Sequence, residues 1–197
     1  MYDIEKFDQS YWDKRYIEND IPWDIGYAAP AIIDYLSKLD LTDKDILIPG
    51  GGNSYEALWL LENSSAFVTV IDLSPTLIDV LKERFLTFGS RIRLIQGDFF
   101  DHFDTYDMII EQTFFCAISP HLRSEYVSKM YALLKKEGTL CGLMFNVTFE
   151  KKGPPFGGNE LEYQALFENH FENIRINKTA LSIPPRKGNE VFIEISK

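Results

Sequence analysis

The apolar run Asp45-Ile46-Leu47-Ile48-Pro49 leads directly into Gly50-Gly51-Gly52-Asn53-Ser54, and the next apolar run, Phe67-Val68-Thr69-Val70-Ile71, ends on the carboxylate Asp72. A strand, a glycine turn, a helix and a second strand closing on an acid form the first half of a nucleotide-binding α/β sheet. The turn is not the dinucleotide kind, because that fingerprint places glycine at position 55 and this chain has Tyr55. A carboxylate placed for a ribose, without a loop shaped for pyrophosphate, points to an adenosine ligand that carries no phosphates.

Beyond that unit the chain keeps alternating. The patterns predict a helix over 53–62, a strand over 66–71 and a helix over 75–88, which Ser74-Pro75 opens and Gly89 ends. Strands over 91–96 and 106–110 lead to Gly97-Asp98 and Glu111-Gln112; a helix over 121–135 leads through Gly138 to a strand over 139–145. Two helices, 8–19 and 30–39, come before the first strand, and Pro22 separates them. Residues 160–169 read as a helix, and 172–180 and 190–196 as two strands. The link between those strands is too short for a crossover helix, so they pair antiparallel. The expected fold is therefore α/β, a mostly parallel seven-stranded sheet with an antiparallel C-terminal hairpin and helices on both faces. Residues 1–197 make one domain, with 1–40 as a helical cap.

Charge and composition narrow the partners. A net charge of −10 disfavours nucleic acid, whose binding depends on Lys and Arg neutralising phosphates. Cys116 and Cys141 are the only cysteines and both lie in apolar runs, as reduced, packed thiols do. Met1-Tyr2-Asp3-Ile4-Glu5 has no signal-peptide pattern, and no apolar stretch is long enough to span a bilayer. A cytoplasmic protein acting on a small molecule is expected, with no membrane partner and no metal. No pattern in the chain specifies an oligomeric state.

S-adenosylmethionine is the common phosphate-free adenosine ligand, and each of its parts has a candidate. Asp72, followed by Leu73, can accept both ribose hydroxyls. Gly50 and Gly52 let the first loop approach the methionine tail. Asp98 can meet the adenine edge while Phe99 covers a ring face. Trp12 and Trp23 either wall the sulfonium, whose positive charge an indole face attracts, or plug the N-terminal helix onto the sheet. Trp23, Phe114, Phe115 and Phe145 can exclude water from an acceptor pocket. Arg123 is the candidate for attracting an anionic acceptor, unless Glu125 or Asp34 pairs with it, and Tyr126 borders the same space or packs in the core.

Five segments in order, Pro22-Trp23-Asp24-x-Gly26, Ile48-Pro49-Gly50, Val70-x-Asp72-Leu73-Ser74, Phe114-Phe115-Cys116-Ala117-Ile118-x-Pro120-x-x-Arg123 and Gly153-Pro154-Pro155-Phe156, resemble the thiopurine S-methyltransferase family. Within it, the tail Ile183-Pro184-x-Arg186-Lys187-Gly188 is most similar to the plant-type thiol and halide methyltransferases. The resemblance implies a Rossmann-like class I methyltransferase with cofactor contacts at Trp12, Tyr16, Trp23, Gly50, Asp72, Asp98, Phe99 and Gln112. The chain departs from the family at Tyr16, usually tryptophan, at Glu111-Gln112, usually an acid followed by tyrosine, and at Phe145, tyrosine in the plant-type members.

The expected activity is methyl transfer to a small soft nucleophile: a thiol, hydrosulfide or halide. A thiopurine-type or other S-, O- or N-acceptor is the alternative within the enzyme class. A cofactor-binding module without turnover is the alternative outside it, and Tyr55 argues against a nicotinamide oxidoreductase.

Overall fold

The computed structural model describes residues 7–197, so the reading of Met1 to Glu5 lies outside the described residues. Helices α1 (Gln9–Ile17) and α2 (Pro30–Leu36) come first, followed by β1 (Asp45–Pro49), α3 (Tyr55–Asn63), β2 (Phe67–Asp72), α4 (Pro75–Arg84) and β3 (Ile92–Gln96). The second half runs β4 (Tyr106–Gln112), α5 (Arg123–Leu133), β5 (Leu134–Phe145), α6 (Glu160–Phe167), β6 (Asn173–Lys178) and β7 (Glu190–Ser196). The seven strands make one sheet in the order β3-β2-β1-β4-β5-β7-β6. The first five are parallel, and β7 runs antiparallel to both neighbours.

Side-chain alternation builds the two layers. Ile46 and Ile48 pack with Ile32, Leu36, Leu60 and Leu81 on one face, whereas Leu47 packs with Tyr126, Met130, Tyr163 and Phe167 on the other. The same alternation separates Ile110 from Ile109 on β4. Fully burying each such side chain contributes about 1.5–3 kcal/mol, so both sheet faces need their helices. Among the described residues no helix is long and apolar enough to cross a membrane.

Several boundaries differ from expectation, and three of them show why. Helix α3 begins at Tyr55 because Ser54 is left-handed (φ 53°) and donates its hydroxyl to the carbonyls of Gly51 and Gly52. Helix α4 ends at Arg84, and Gly89, with φ 57°, kinks the 3-10 turns of residues 86–91 instead of ending the helix itself. Helix α5 stops at Leu133 because Leu134 is extended and pairs with Tyr106, so β5 starts well before Gly138.

Candidate active site

The C-terminal ends of β1, β2 and β4 bring the glycine loop, Asp72 and the Gln112–Phe115 segment side by side, where open α/β sheets bind ligands. Asp72 is 9% exposed. Its Oδ1 accepts the Ser74 N–H at 3.0 Å and its Oδ2 the Gly52 N–H at a long 3.4 Å. Lone pairs remain on both oxygens for further donors. Burial raises the carboxyl to about 6, against the lowering effect of those amides.

Gly50 and Gly52 both have left-handed backbones, φ 54° and 50°. A Cβ on Gly50 would lie 2.2 Å from the Phe114 ring, so the glycine lets that ring close over the loop. A Cβ on Gly52 would reach within 3.4 Å of the Tyr16 hydroxyl. That hydroxyl belongs to α1, and burial followed by the nearby Asp72 charge pushes its ionisation well above the usual tyrosine range.

Helix α1 is held there by a residue that sequence reasoning missed. The Asp13 carboxylate accepts the Ser74 hydroxyl at 2.6 Å and the Thr76 N–H at 3.0 Å, fastening α1 to the start of α4. Trp12, Tyr16 and Trp23 consequently cluster edge to face, with Trp23 5.6 Å from Trp12 and 6.0 Å from Tyr16. The cation stacked on Trp23 in this structure is Arg15, at 5.0 Å from the ring centroid. Asp24, also missed, bonds the Asn53 amide and, at 3.3 Å, the Tyr55 hydroxyl. Tyr55 thus braces the loop from the position where a dinucleotide turn has glycine.

The third-strand candidates part company. Asp98 is exposed and caps the following 3-10 turn through the Phe100 N–H at 2.8 Å. Phe99 is 4% exposed and packs against Phe114 and Tyr126, so it has little ring face to offer a ligand as the structure stands. Leu73 is half-buried and its carbonyl accepts the Gln96 amide at 3.3 Å. Gln112, half-buried at the end of β4, has a buried Oε1 with no partner among the described residues.

Beside this loop Glu111 organises the end of β4. Its Oε1 accepts the N–H groups of Phe114 and Phe115, at 2.8 and 2.9 Å, and its Oε2 the Tyr126 hydroxyl at 2.6 Å. Complete burial raises the carboxyl to about 7. Tyr126 is therefore a core residue committed to Glu111. Arg123 does not stand open at a mouth: it is 6% exposed, stacks on Phe115, and pairs with Glu162 and the Gly157 carbonyl, not with Glu125 or Asp34.

A narrow cleft lies next to Glu111, between Phe115, Cys116, Met144, Phe145 and Glu190, with about 230 Å3 of atom-free space that includes its opening to solvent. At its centre there is room for about one water. Phe145 is half-buried, with the Arg186 guanidinium 5.5 Å from its ring centroid. Arg186 also donates to the Trp23 carbonyl at 3.0 Å, joining the 182–189 loop to the N-terminal segment. Among the described residues no group of three or more His, Cys, Asp or Glu side chains could hold a metal ion.

Comparison with known proteins agrees with this architecture. The family model for thiopurine S-methyltransferase matches residues 7–195. The probable thiol methyltransferase 2 of Arabidopsis thaliana is 31% identical over 184 residues, covering 91% of this chain and 81% of that protein. Thiocyanate methyltransferase 1 of Brassica oleracea is 29% identical, covering 94% of this chain and 84% of its own length. A Burkholderia thailandensis 1,6-didemethyltoxoflavin-N1-methyltransferase, solved with S-adenosylhomocysteine, superposes with a TM-score of 0.76 at 18% identity, over 100% of this chain and 91% of its own. Sheet order, family model and relatives thus agree: the chain belongs to the thiopurine S-methyltransferase family and is an S-adenosylmethionine-dependent methyltransferase.

Proposed function

We propose that the methyl acceptor is a small soft nucleophile, a thiol, hydrosulfide or halide, and that residues 1–40 cap the cofactor site of one methyltransferase domain working in the cytoplasm without a nucleic-acid partner. The observation that carries the acceptor reading is the cleft beside Glu111, whose walls include Phe115, Cys116, Met144 and Phe145 and whose centre admits about one water. Apolar, polarisable walls strip hydration from a soft nucleophile at little cost, whereas a fused purine needs several times that space.

The residues present fit the cofactor. Asp72 keeps acceptor capacity for a diol, Gly52 leaves open a space that a side chain would fill, and Gln112 holds an unpartnered oxygen at the end of β4. When bound, S-adenosylmethionine supplies an electrophilic methyl on a positive sulfur. Asp72 would hold the ribose, Gly50 and Gly52 would admit the amino-acid tail, and Asp98 with Phe99 would border the adenine once Phe99 yields part of its packing. Trp12, Tyr16 and Trp23 would close the sulfonium side. Phe114, Phe115 and Phe145 would then keep water out while the nucleophile is held about 3–3.5 Å from the methyl carbon, in line with the departing sulfur. Tyr126 and Arg123 contribute by fixing Glu111 and Phe115.

The test is a panel of iodide, hydrosulfide, thiophenol and a thiopurine with purified protein and cofactor, the methylated products being measured by mass spectrometry. Turnover of iodide and hydrosulfide with rejection of thiophenol and the thiopurine supports the reading. A thiopurine turned over as fast as hydrosulfide overturns the size argument.

A further inference from the structure

The polar groups around the cleft are unequally engaged. Glu111 uses both oxygens on three donors. The Cys116 thiol donates to the Thr113 carbonyl at 3.2 Å, and burial pushes its ionisation far above the usual thiol range. Arg186 donates to the Trp23 carbonyl and, at 3.4 Å, to Oε1 of Glu190. What is left is Oε2 of Glu190. The Glu190 side chain is 4% exposed, it forms part of the cleft wall, and this oxygen has no partner among the described residues.

Register explains why it stands there. Strand β7 runs antiparallel to β5, so its first residue pairs with the last of β5, Phe145. The carboxylate is thereby delivered to the end of the sheet where β1, β2 and β4 present the glycine loop, Asp72 and Glu111. A buried acceptor left unpaired forfeits its hydration without compensation, and a carboxylate forfeits more than a neutral group, so the arrangement calls for a ligand that donates a hydrogen bond or a proton.

We propose that Glu190 is the general base of the reaction, and that the acceptors suited to this cleft are sulfur nucleophiles that arrive protonated. This rests on the soft-nucleophile reading above and narrows it. A cysteine-like thiol, with a pKa of about 8.5, is only a few per cent thiolate at pH 7, and a simple alkyl thiol is less ionised still. In the proposed step the S–H proton passes to Oε2 of Glu190 as a sulfur lone pair forms the bond to the methyl carbon. The bond between that carbon and the cofactor sulfur breaks, its electron pair stays on that sulfur, and the thioether, S-adenosylhomocysteine and a proton, later released to solvent, complete the balance. Arg186 donates to the other oxygen at 3.4 Å, which holds the carboxylate in place against the cleft wall. Iodide has no proton to give and gains nothing from Glu190.

The experiment compares 2-mercaptoethanol with iodide in the wild-type protein and in Glu190→Gln. We expect kcat/KM for the thiol to fall by about 10²–10⁴-fold at pH 7, with iodide changed by less than about threefold. The loss should shrink by about tenfold per pH unit as the solution approaches the thiol's own ionisation. S-adenosylhomocysteine affinity, measured by calorimetry, should stay within about twofold of wild type, because the substitution leaves the Asp72 side untouched. Glu190→Asp keeps the charge beside Arg186 and withdraws the oxygen by one methylene; it should show the same selective loss at smaller size, and it decides the matter if the glutamine variant does not fold. Equal losses for thiol and iodide, or a variant whose thiol defect is the same at every pH, overturn the base and leave methyl transfer to soft nucleophiles standing. A wild-type protein that methylates neither acceptor overturns both.

Discussion

The two halves of the site are built differently. Around Asp72 the backbone supplies most of the chemistry: left-handed glycines, two amides on one carboxylate, and a helix pinned by Asp13. Around Glu111 and Glu190 the side chains supply it, with a carboxylate stapling the Phe114–Phe115 turn and another facing a cleft of soft walls. Backbone geometry suits a ligand that never changes. Side-chain walls can be exchanged one residue at a time, so they suit an acceptor that differs between relatives, as the thiol and thiocyanate enzymes among them do.

The sharpest way to break this division is Asp72→Ala. Losing a charged acceptor of two hydroxyls at about 1.5–3 kcal/mol each should weaken S-adenosylhomocysteine by 100-fold or more in calorimetry. Unchanged affinity would remove the ribose assignment. In the wild-type protein the same affinity should decline as pH falls below about 6, where Asp72 takes up its proton.

Gly50→Ala probes the seam between the halves. A left-handed non-glycine residue costs about 1–2 kcal/mol, and a Cβ driven into the Phe114 ring adds about 1–3 kcal/mol more. Chemical denaturation should register the sum, and the acceptor KM should rise because Phe114 has to move.

Glu111→Gln tests the acceptor side alone. Glu111 and Asp72 both have raised carboxyls, to about 7 and about 6, so the folded chain holds protons that the unfolded chain releases. Each therefore contributes stability that is complete below the unfolded carboxylate range and is lost as pH rises through the folded value. Unfolding free energy should decline between about pH 4 and pH 7, and the glutamine variant should lose the part of that slope nearest 7. An identical slope in the variant would place the titration elsewhere. The smallest effect belongs to Tyr55→Phe: removing one 3.3 Å bond to Asp24 should cost about 0.5–1 kcal/mol in thermal unfolding and leave the acceptor side unaffected.

The sheet was legible because each strand carries its own signal, as alternating Ile46, Leu47 and Ile48 show, and because glycine turns and strand-end acids are local. Helix ends were less so. The stop of α5 at Leu133 is set by a pairing with Tyr106, which no window around Leu134 contains. Asp72 could be read from its place after an apolar run, and Tyr16 from the family motif. Asp13 looked like any helix-surface acid, because its partners Ser74 and Thr76 lie about sixty residues on. Glu190 opened a strand like many exposed glutamates, and only the antiparallel register against Phe145 turns it inward. Arg123 offered Glu125 and Asp34 as partners in the sequence, whereas its actual partners, Glu162 and Gly157, lie 39 and 34 residues away.

The bond from Arg186 to the Trp23 carbonyl ties the C-terminal loop to the segment that follows α1. One guanidinium thus couples two segments far apart in the chain, and displacing either of them costs that bond. Any ligand exchange that requires the two segments to part therefore requires that bond to break first.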